Sequence, residues 1–309
     1  MAAQDTHRPL IDISSLPDIS KAEMDFHDSS FFRCNARPQL PTPTAILQQF
    51  PDRGATVVKF EHLNLAVKYG HSSYPRLEEA QTMRAIRQAF PHDDIPVPEV
   101  FGWRKHGDLN FIYMSLIRGK TLREAWPSLT EGDKMSISSE LRRIVAALRR
   151  ATQGSSERFI GSINGGTVQD RFFKLDYEEG PFLTIKSFND WLFAAATRQR
   201  PGPDGVIKGL DLDGLYRDFI ADTGNIYLTH GDLTVGNIII SGIPGSHRIV
   251  GIIDWEQAGW YPEYWEYCKL LYGVEYSHEW RSAGWADKVV TSFDNEWTAV
   301  AEYSLWRCP

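Results

Sequence analysis

The chain has 309 residues and sets 33 lysines and arginines against 40 aspartates and glutamates, a formal charge of −7. An acidic surface argues against a nucleic-acid or anionic-membrane partner and leaves room for a cationic one. At 42% hydrophobic and 12% aromatic residues the chain can bury a sizeable core, and its length suits two lobes sharing a cleft better than one core.

Met1–Leu10 holds charged and polar residues without an apolar centre, so no signal peptide is expected, and no later run approaches membrane-spanning length. Cys34, Cys268 and Cys308 have no metal-ligand spacing and predict reduced thiols in a soluble, cytoplasmic protein. Residues 1–40 lack helical or strand periodicity and read as an extended arm docked through Phe26, Phe31 and Phe32. A short helix, Ala45–Phe50, is bracketed by prolines. Two β-rich runs at hairpin spacing follow, Ala55–Phe60 and Asn64–Tyr69, each with a lysine, Lys59 and Lys68. A strand lysine is ordinarily a solvated face residue, but Lys68 is flanked by Leu65, Ala66 and Val67. Pro75–Phe90 reads as a helix with an apolar stripe through Met83, Ile86 and Phe90 that extends back onto Glu79, whereas Glu78 continues onto the blander Thr82, Ala85 and Ala89. A carboxylate on a core-facing stripe needs a partner, and Lys68 is the obvious one. Val100–Trp103 and Asn110–Ile117 read as strands. Gly119 and a capping box over Thr121–Glu124 then open a helix.

From Thr130 the pattern becomes helical. Thr130 and Asp133 sit at cap spacing, Ile137, Leu141, Ile144 and Leu148 form a stripe, and Arg142, Arg143, Arg149 and Arg150 read as a solvated face. The glycine-rich 161–166, GSINGG, lacks the lysine-hydroxyl ending of a phosphate loop and reads as a turn. Helices are expected over Ser187–Arg198 and Asp213–Ala221, with a loop at Pro201–Gly205. The informative stretch is Thr229–Tyr267. His230, Gly231, Asp232 and, five residues past that aspartate, Asn237 form a polar loop between apolar runs; a Pro244-Gly245 turn returns the chain through Ile249–Ile253 to Asp254. Closing that hairpin brings Asn237 near Asp254. One base-like aspartate, one amide and one further carboxylate are what phosphoryl transfer from a nucleotide requires: Asp232 for the acceptor hydroxyl, Asn237 and Asp254 for magnesium. The segment Trp255–Tyr267, with six aromatics and three glutamates, reads as lobe packing rather than an aromatic wall for a cationic acceptor. Trp280, Trp285, Trp297 and Trp306 are expected core anchors in a helical tail.

At HGD, at IDW and in the phrase IIDWEQAGWYPEYWEY the chain resembles the aminoglycoside phosphotransferase family, in particular its large fungal branch, over roughly residues 40–275. The resemblance implies an α+β, two-lobed protein-kinase-like fold: an arm (1–40), a small antiparallel sheet lobe (41–118) and a larger, mainly helical lobe (119–309). It implies ATP and Mg2+ in the cleft, Lys68 on the phosphates, Glu79 positioning Lys68, a hinge whose backbone at Ser115, Leu116 and Ile117 faces the adenine, and a small-molecule hydroxyl as acceptor. His230 is then a loop-organising residue. Two departures follow. No G-x-G-x-x-G precedes Lys68, only Gly54 being nearby, which leaves a catalytically silent nucleotide-binding module as the alternative. A protein kinase would carry a lysine where Thr234 stands and a long activation segment where Asp254 runs straight into Trp255.

Overall fold

The computed structural model describes residues 8–34, 38–51, 54, 56–92, 94–155, 158–173, 179–197 and 216–307. The loop expected at 201–205, the start of the helix expected from 213 and Cys308 lie outside these residues. What is described of that helix is a single 3-10 turn, Arg217–Phe219.

Residues 8–34 are not an extended arm. Leu10–Ile11 (β1), Glu23–Asp25 (β2) and the helical turn Ser30–Cys34 (α1) are regular structure. The sequence EMD has no apolar alternation because β2 is an edge strand, and the buried Phe26 and Phe31 beside it supply the anchorage. A short helix, Pro43–Gln49 (α2), starts earlier than expected because Thr42 Oγ1 caps the Ala45 N–H at 3.2 Å and Pro43 fits its first turn. Thr56–Phe60 (β3) and Leu65–His71 (β4) form the expected hairpin, closed by a 3-10 turn at Glu61–Leu63. The helix Leu77–Ala89 (α3) follows, then Val100–His106 (β5) and Leu109–Ser115 (β6). The five strands pair antiparallel in the order β2-β5-β6-β4-β3, with Lys68 opposite Val57 on one side and Ile112 on the other. A Cβ on Gly102 would run into the Met24 carbonyl oxygen, so glycine is what lets the edge strand close on β5.

Beyond Ser115 the chain makes Lys120–Thr121 (β7), then Leu122–Ala125 (α4) and Glu131–Leu148 (α5), each opened by the expected capping box, Thr121 with Glu124 and Thr130 with Asp133. The α5 stripe Ile137, Leu141, Ile144 and Leu148 is buried and Arg142 and Arg143 are exposed, but Arg149 turns inward to donate to the Glu263 carbonyl at 2.9 Å. Thr152–Gln153 (β8) runs parallel to β1, and Gly161–Ser162 (β9) carries the GSINGG turn. Ile185–Ala196 (α6) is capped by Thr184, three residues before Ser187. Ile226–Thr229 (β10), Ile238–Ser241 (β11), Arg248–Ile252 (β12) and Gly259–Pro262 (β13) build two three-stranded sheets, β12-β11-β7 and β10-β13-β9. Trp265–Tyr272 (α7), Glu279–Ser282 (α8) and Asp294–Arg307 (α9) complete the larger lobe. One apolar cluster runs from Ala80, Met83 and Ile86 of α3 to Leu141 and Ile144 of α5, so the sheet lobe and the helical lobe share a seam. Trp280 and Trp285 are buried in it, while Trp297 packs at its margin. Among the described residues no helix is long and apolar enough to cross a membrane.

Candidate active site

Lys68 is buried in the middle of β4, and its ammonium meets three carboxylates: Glu79 Oε2 at 2.7 Å, Asp254 Oδ1 at 2.6 Å and Glu256 Oε2 at 3.5 Å. Helical phasing fixes the first partner, since Glu79 lies 1% exposed on the inward face of α3 while Glu78 is half-buried to one side. Burial works against a charged lysine, but the three carboxylates more than offset it and raise the Lys68 pKa. Burial pushes Glu79 up to about 7 against the pull of Lys68. Asp254 would also rise through burial, yet Lys68 and then Arg171 hold it below the usual carboxylate range.

The loop between β10 and β11 is organised around His230. The Asp232 N–H donates to His230 Nδ1 at 3.1 Å, which places the ring proton on Nε2, 3.1 Å from the Ile253 carbonyl that accepts it. The ring lies 4.4 Å from that of Trp255, and full burial holds its pKa down to about 4, so it is a neutral brace. Beneath it, the Glu266 carboxylate accepts the N–H groups of His230 and Gly231 at 2.7 and 3.3 Å. Gly231 has φ +75°, and a Cβ there would sit 2.7 Å from the Gln257 carbonyl oxygen; both facts demand glycine in HGD. Asn237 Nδ2 donates to Asp232 at both its carbonyl oxygen, 2.8 Å, and Oδ2, 3.0 Å. Burial raises the Asp232 pKa to about 6. Across the hairpin the Ile253 N–H donates to the Asn237 carbonyl at 2.9 Å, and Asp254 follows with a left-handed backbone, φ +66°, a conformation that non-glycine residues hold at a cost.

Asn237 and Asp254 line one cavity of ≈ 420 Å³ together with Lys68, Glu79, Ser115, Leu116 and Ile117. Asp232 is not in its lining and joins it through Asn237. At the hinge end the Ser115 N–H is taken by the Glu99 carbonyl at 2.8 Å and the Leu116 N–H by that of Asn64 at 2.9 Å. Among the described residues the backbone N–H and C=O of Ile117 meet no protein partner, leaving them for a ligand in the cavity. Because the Asn237 nitrogen is committed to Asp232, its Oδ1 is left as an oxygen donor, and the Asp254 carboxylate lines the same cavity. One amide and one carboxylate oxygen suit magnesium. Glu79, Asp254 and Glu256 also bring oxygens within 4.8 Å of one another, but the Lys68 ammonium already sits among them and takes a cation's place.

Residues 48–303 match the model of the Phosphotransferase enzyme family. The chain belongs to that family. Its fold is that of the GDP complexes of aminoglycoside 2'-phosphotransferase-IIIa. A mutant of that enzyme is 16% identical over 85% of this chain and 86% of its own, with a TM-score of 0.52. The wild-type enzyme is 12% identical over 85% and 87%, with a TM-score of 0.50. Aminoglycoside phosphotransferase APH(3'')-Id from Streptomyces rimosus is 16% identical over 84% of this chain and 96% of its own, with a TM-score of 0.46. No curated protein matches the chain. The α+β, two-lobed, protein-kinase-like fold expected from the sequence is the one this family member has.

Three residues of the site escaped the sequence reading. Glu256, two residues past Asp254 in a segment that reads as packing, belongs with Lys68 and Arg171. Arg171 donates from Nη2 and Nε to Glu256 Oε1 at 2.5 and 2.7 Å and from Nη2 to the Tyr74 hydroxyl at 2.6 Å. Tyr74 lies outside the regular elements and Arg171 opens a 3-10 turn, Arg171–Phe173, too short to show a period, so only the three-dimensional contact reveals them. The six aromatics of 255–267 are all buried, as packing residues should be. Of the cysteines, Cys34 is exposed and Cys268 buried, both as free thiols.

Proposed function

We propose that this protein is an ATP- and magnesium-dependent kinase that moves the terminal phosphoryl group of the nucleotide to a hydroxyl of a small molecule. The observation that carries this is the convergence of the Lys68–Glu79 pair, Asn237 and Asp254 on one cavity whose far end offers the open backbone of Ile117. In this reading the base lies against the hinge at Ser115, Leu116 and Ile117, Lys68 holds the phosphates, and Glu79 fixes Lys68. Asn237 Oδ1 and the Asp254 carboxylate hold magnesium, which when bound neutralises phosphate charge.

Asp232 faces the acceptor. Its raised pKa, about 6, leaves it ionised at neutral pH yet more basic than a free aspartate. It takes the proton of the attacking hydroxyl as the bond from that oxygen to the γ-phosphorus forms. The bond from phosphorus to the bridging oxygen breaks, and ADP carries the electron pair away. Asn237 Nδ2 keeps the Asp232 carboxylate aimed, so much of the gain is positioning. The net charge of −7 suits a cationic acceptor, and the GDP in the 2'-phosphotransferase complexes makes GTP a nucleotide to test beside ATP.

The test is Asp254→Ala in a thermal-shift titration. Magnesium should add stabilisation to that given by ATP alone in the parent and add none in the variant, because a ligand stabilises only through its affinity for the folded state. An equal magnesium increment in both proteins would contradict the assignment.

A further inference from the structure

We infer that Arg171 is a catalytic residue that takes the terminal phosphate of the nucleotide, a role that rests on the kinase reading above. Its backbone is fixed from the side of the metal-binding segment. Asp170, just before it, is buried and held by Lys269 Nζ at 2.7 Å, Trp265 Nε1 at 2.8 Å and the Phe172 N–H at 2.8 Å. The Arg171 N–H itself donates to Gln257 Oε1 at 2.9 Å, and Lys269 donates to the same oxygen at 3.1 Å. From this rigid base the side chain reaches out 43% exposed.

Arg171 is not in the lining of the cavity but borders it, its guanidinium meeting two residues that do line it, Tyr74 and Asp254. The guanidinium is fixed by Glu256 from the helical lobe and by Tyr74 from the sheet lobe, and its Nη2 is 3.8 Å from Asp254 Oδ2. All of these contacts use Nε and Nη2. Among the described residues Nη1 meets no acceptor, so its two N–H groups are left for a ligand.

The charge balance points the same way. Lys68 is the buried cation of the cleft and already faces three carboxylates, so a triphosphate held by Lys68 calls for a second cation beside it. The β3–β4 turn, Glu61–Leu63, contains no glycine and, among the described residues, does not line the cavity. The guanidinium fork matches the non-bridging oxygens of a phosphoryl group. Arg171 holds these oxygens as the phosphorus moves from the bridging oxygen to the acceptor oxygen; no proton leaves the guanidinium. Glu256 and Tyr74 are positioning residues, and the Tyr74 contact couples phosphate capture to approach of the two lobes.

The experiment compares MgADP, the magnesium complex of a non-hydrolysable ATP analogue, and MgADP with aluminium fluoride, by calorimetry on the parent, Arg171→Met and Arg171→Lys. Methionine keeps the stem, and unliganded melting identifies any variant that does not fold. If only Arg171→Lys folds, it carries the test, since an ammonium cannot reproduce the fork. Arg171→Met should bind MgADP within about twofold of the parent, lose roughly tenfold for the ATP analogue, and lose roughly a thousandfold for the aluminium fluoride complex. Arg171→Lys should fall between. Equal losses for all three ligands, or none, would overturn the role while leaving the kinase reading intact. A parent that binds no nucleotide would overturn both.

Discussion

Replacing Lys68 with Met keeps the buried stem and removes the ammonium. Three carboxylates, Glu79, Asp254 and Glu256, with oxygens within 4.8 Å of one another, are then left facing each other. Removing one partner of a buried ion pair costs about 3–5 kcal/mol, because the remaining charge has neither water nor a counter-ion. At about 2 °C per kcal/mol for a chain of this size, Lys68→Met should melt roughly 6–10 °C below the parent at pH 8. Glu79 is already raised to about 7 by burial with Lys68 in place, and loss of Lys68 raises it further. A carboxylate whose folded pKa lies above its unfolded value binds more protons when folded, so it costs stability above the folded pKa and recovers it as pH falls. The gap between parent and variant should therefore narrow from pH 8 to pH 6. The vacated position should also accept a divalent cation: magnesium at ten times its dissociation constant, without nucleotide, should restore about 1.4 kcal/mol to the variant and leave the parent unchanged. Differential scanning fluorimetry across that pH range, with and without magnesium, reads both effects. A deficit that is independent of pH and of the cation would refute the view that Lys68 neutralises this cluster.

Asp232→Asn should keep MgATP affinity while transfer falls by roughly a hundredfold or more, the scale of general-base loss; collapse of binding by calorimetry would make Asp232 structural. Gly231→Ala should cost about 1–3 kcal/mol in melting experiments through its positive φ and the Gln257 carbonyl. Gly245→Ala, at φ +83° but with nothing within 4 Å, should cost only about 1–2 kcal/mol, so the larger loss at Gly231 reports the close carbonyl. Burial raises Glu266 to about 7, above its unfolded value. Glu266 alone should therefore contribute up to about 1.4 kcal/mol per pH unit to the parent's gain in stability as pH falls from 7 toward 5. Glu266→Gln should flatten that dependence, and an unchanged pH profile in denaturant melts would count against the assignment.

What the sequence made legible follows from how local each signal is. Glu79 could be chosen over Glu78 because helical phasing and the cost of burying a carboxylate act within one element, and the 2.7 Å contact with Lys68 agrees. Asp232, Asn237 and Asp254 lie in one hairpin, so a spacing rule brought them together. Arg171 and Tyr74 are 97 residues apart and meet only because the lobes do; no period announces such a pair. The β2 strand leaves no pattern in the sequence for a related reason. An edge strand pairs on one side only, so its residues need no alternation, and its place depends on Arg104 and Gly102 opposite. The start of α2 at Pro43 is set by the cap from Thr42, which outweighs the proline bracket that suggests a start at Ala45.

The central claim is transfer of a terminal phosphoryl group to a small-molecule hydroxyl. It is tested most directly by incubating the protein with ATP or GTP, magnesium and a broad panel of amines, sugars, alcohols and aminoglycosides, and weighing the acceptors. One acceptor should gain a single phosphoryl group, with one nucleoside diphosphate formed per acceptor modified and both products lost when magnesium is chelated. Tight binding of the magnesium nucleotide with no acceptor modified and no diphosphate formed would contradict the claim and leave a nucleotide-binding protein without catalysis.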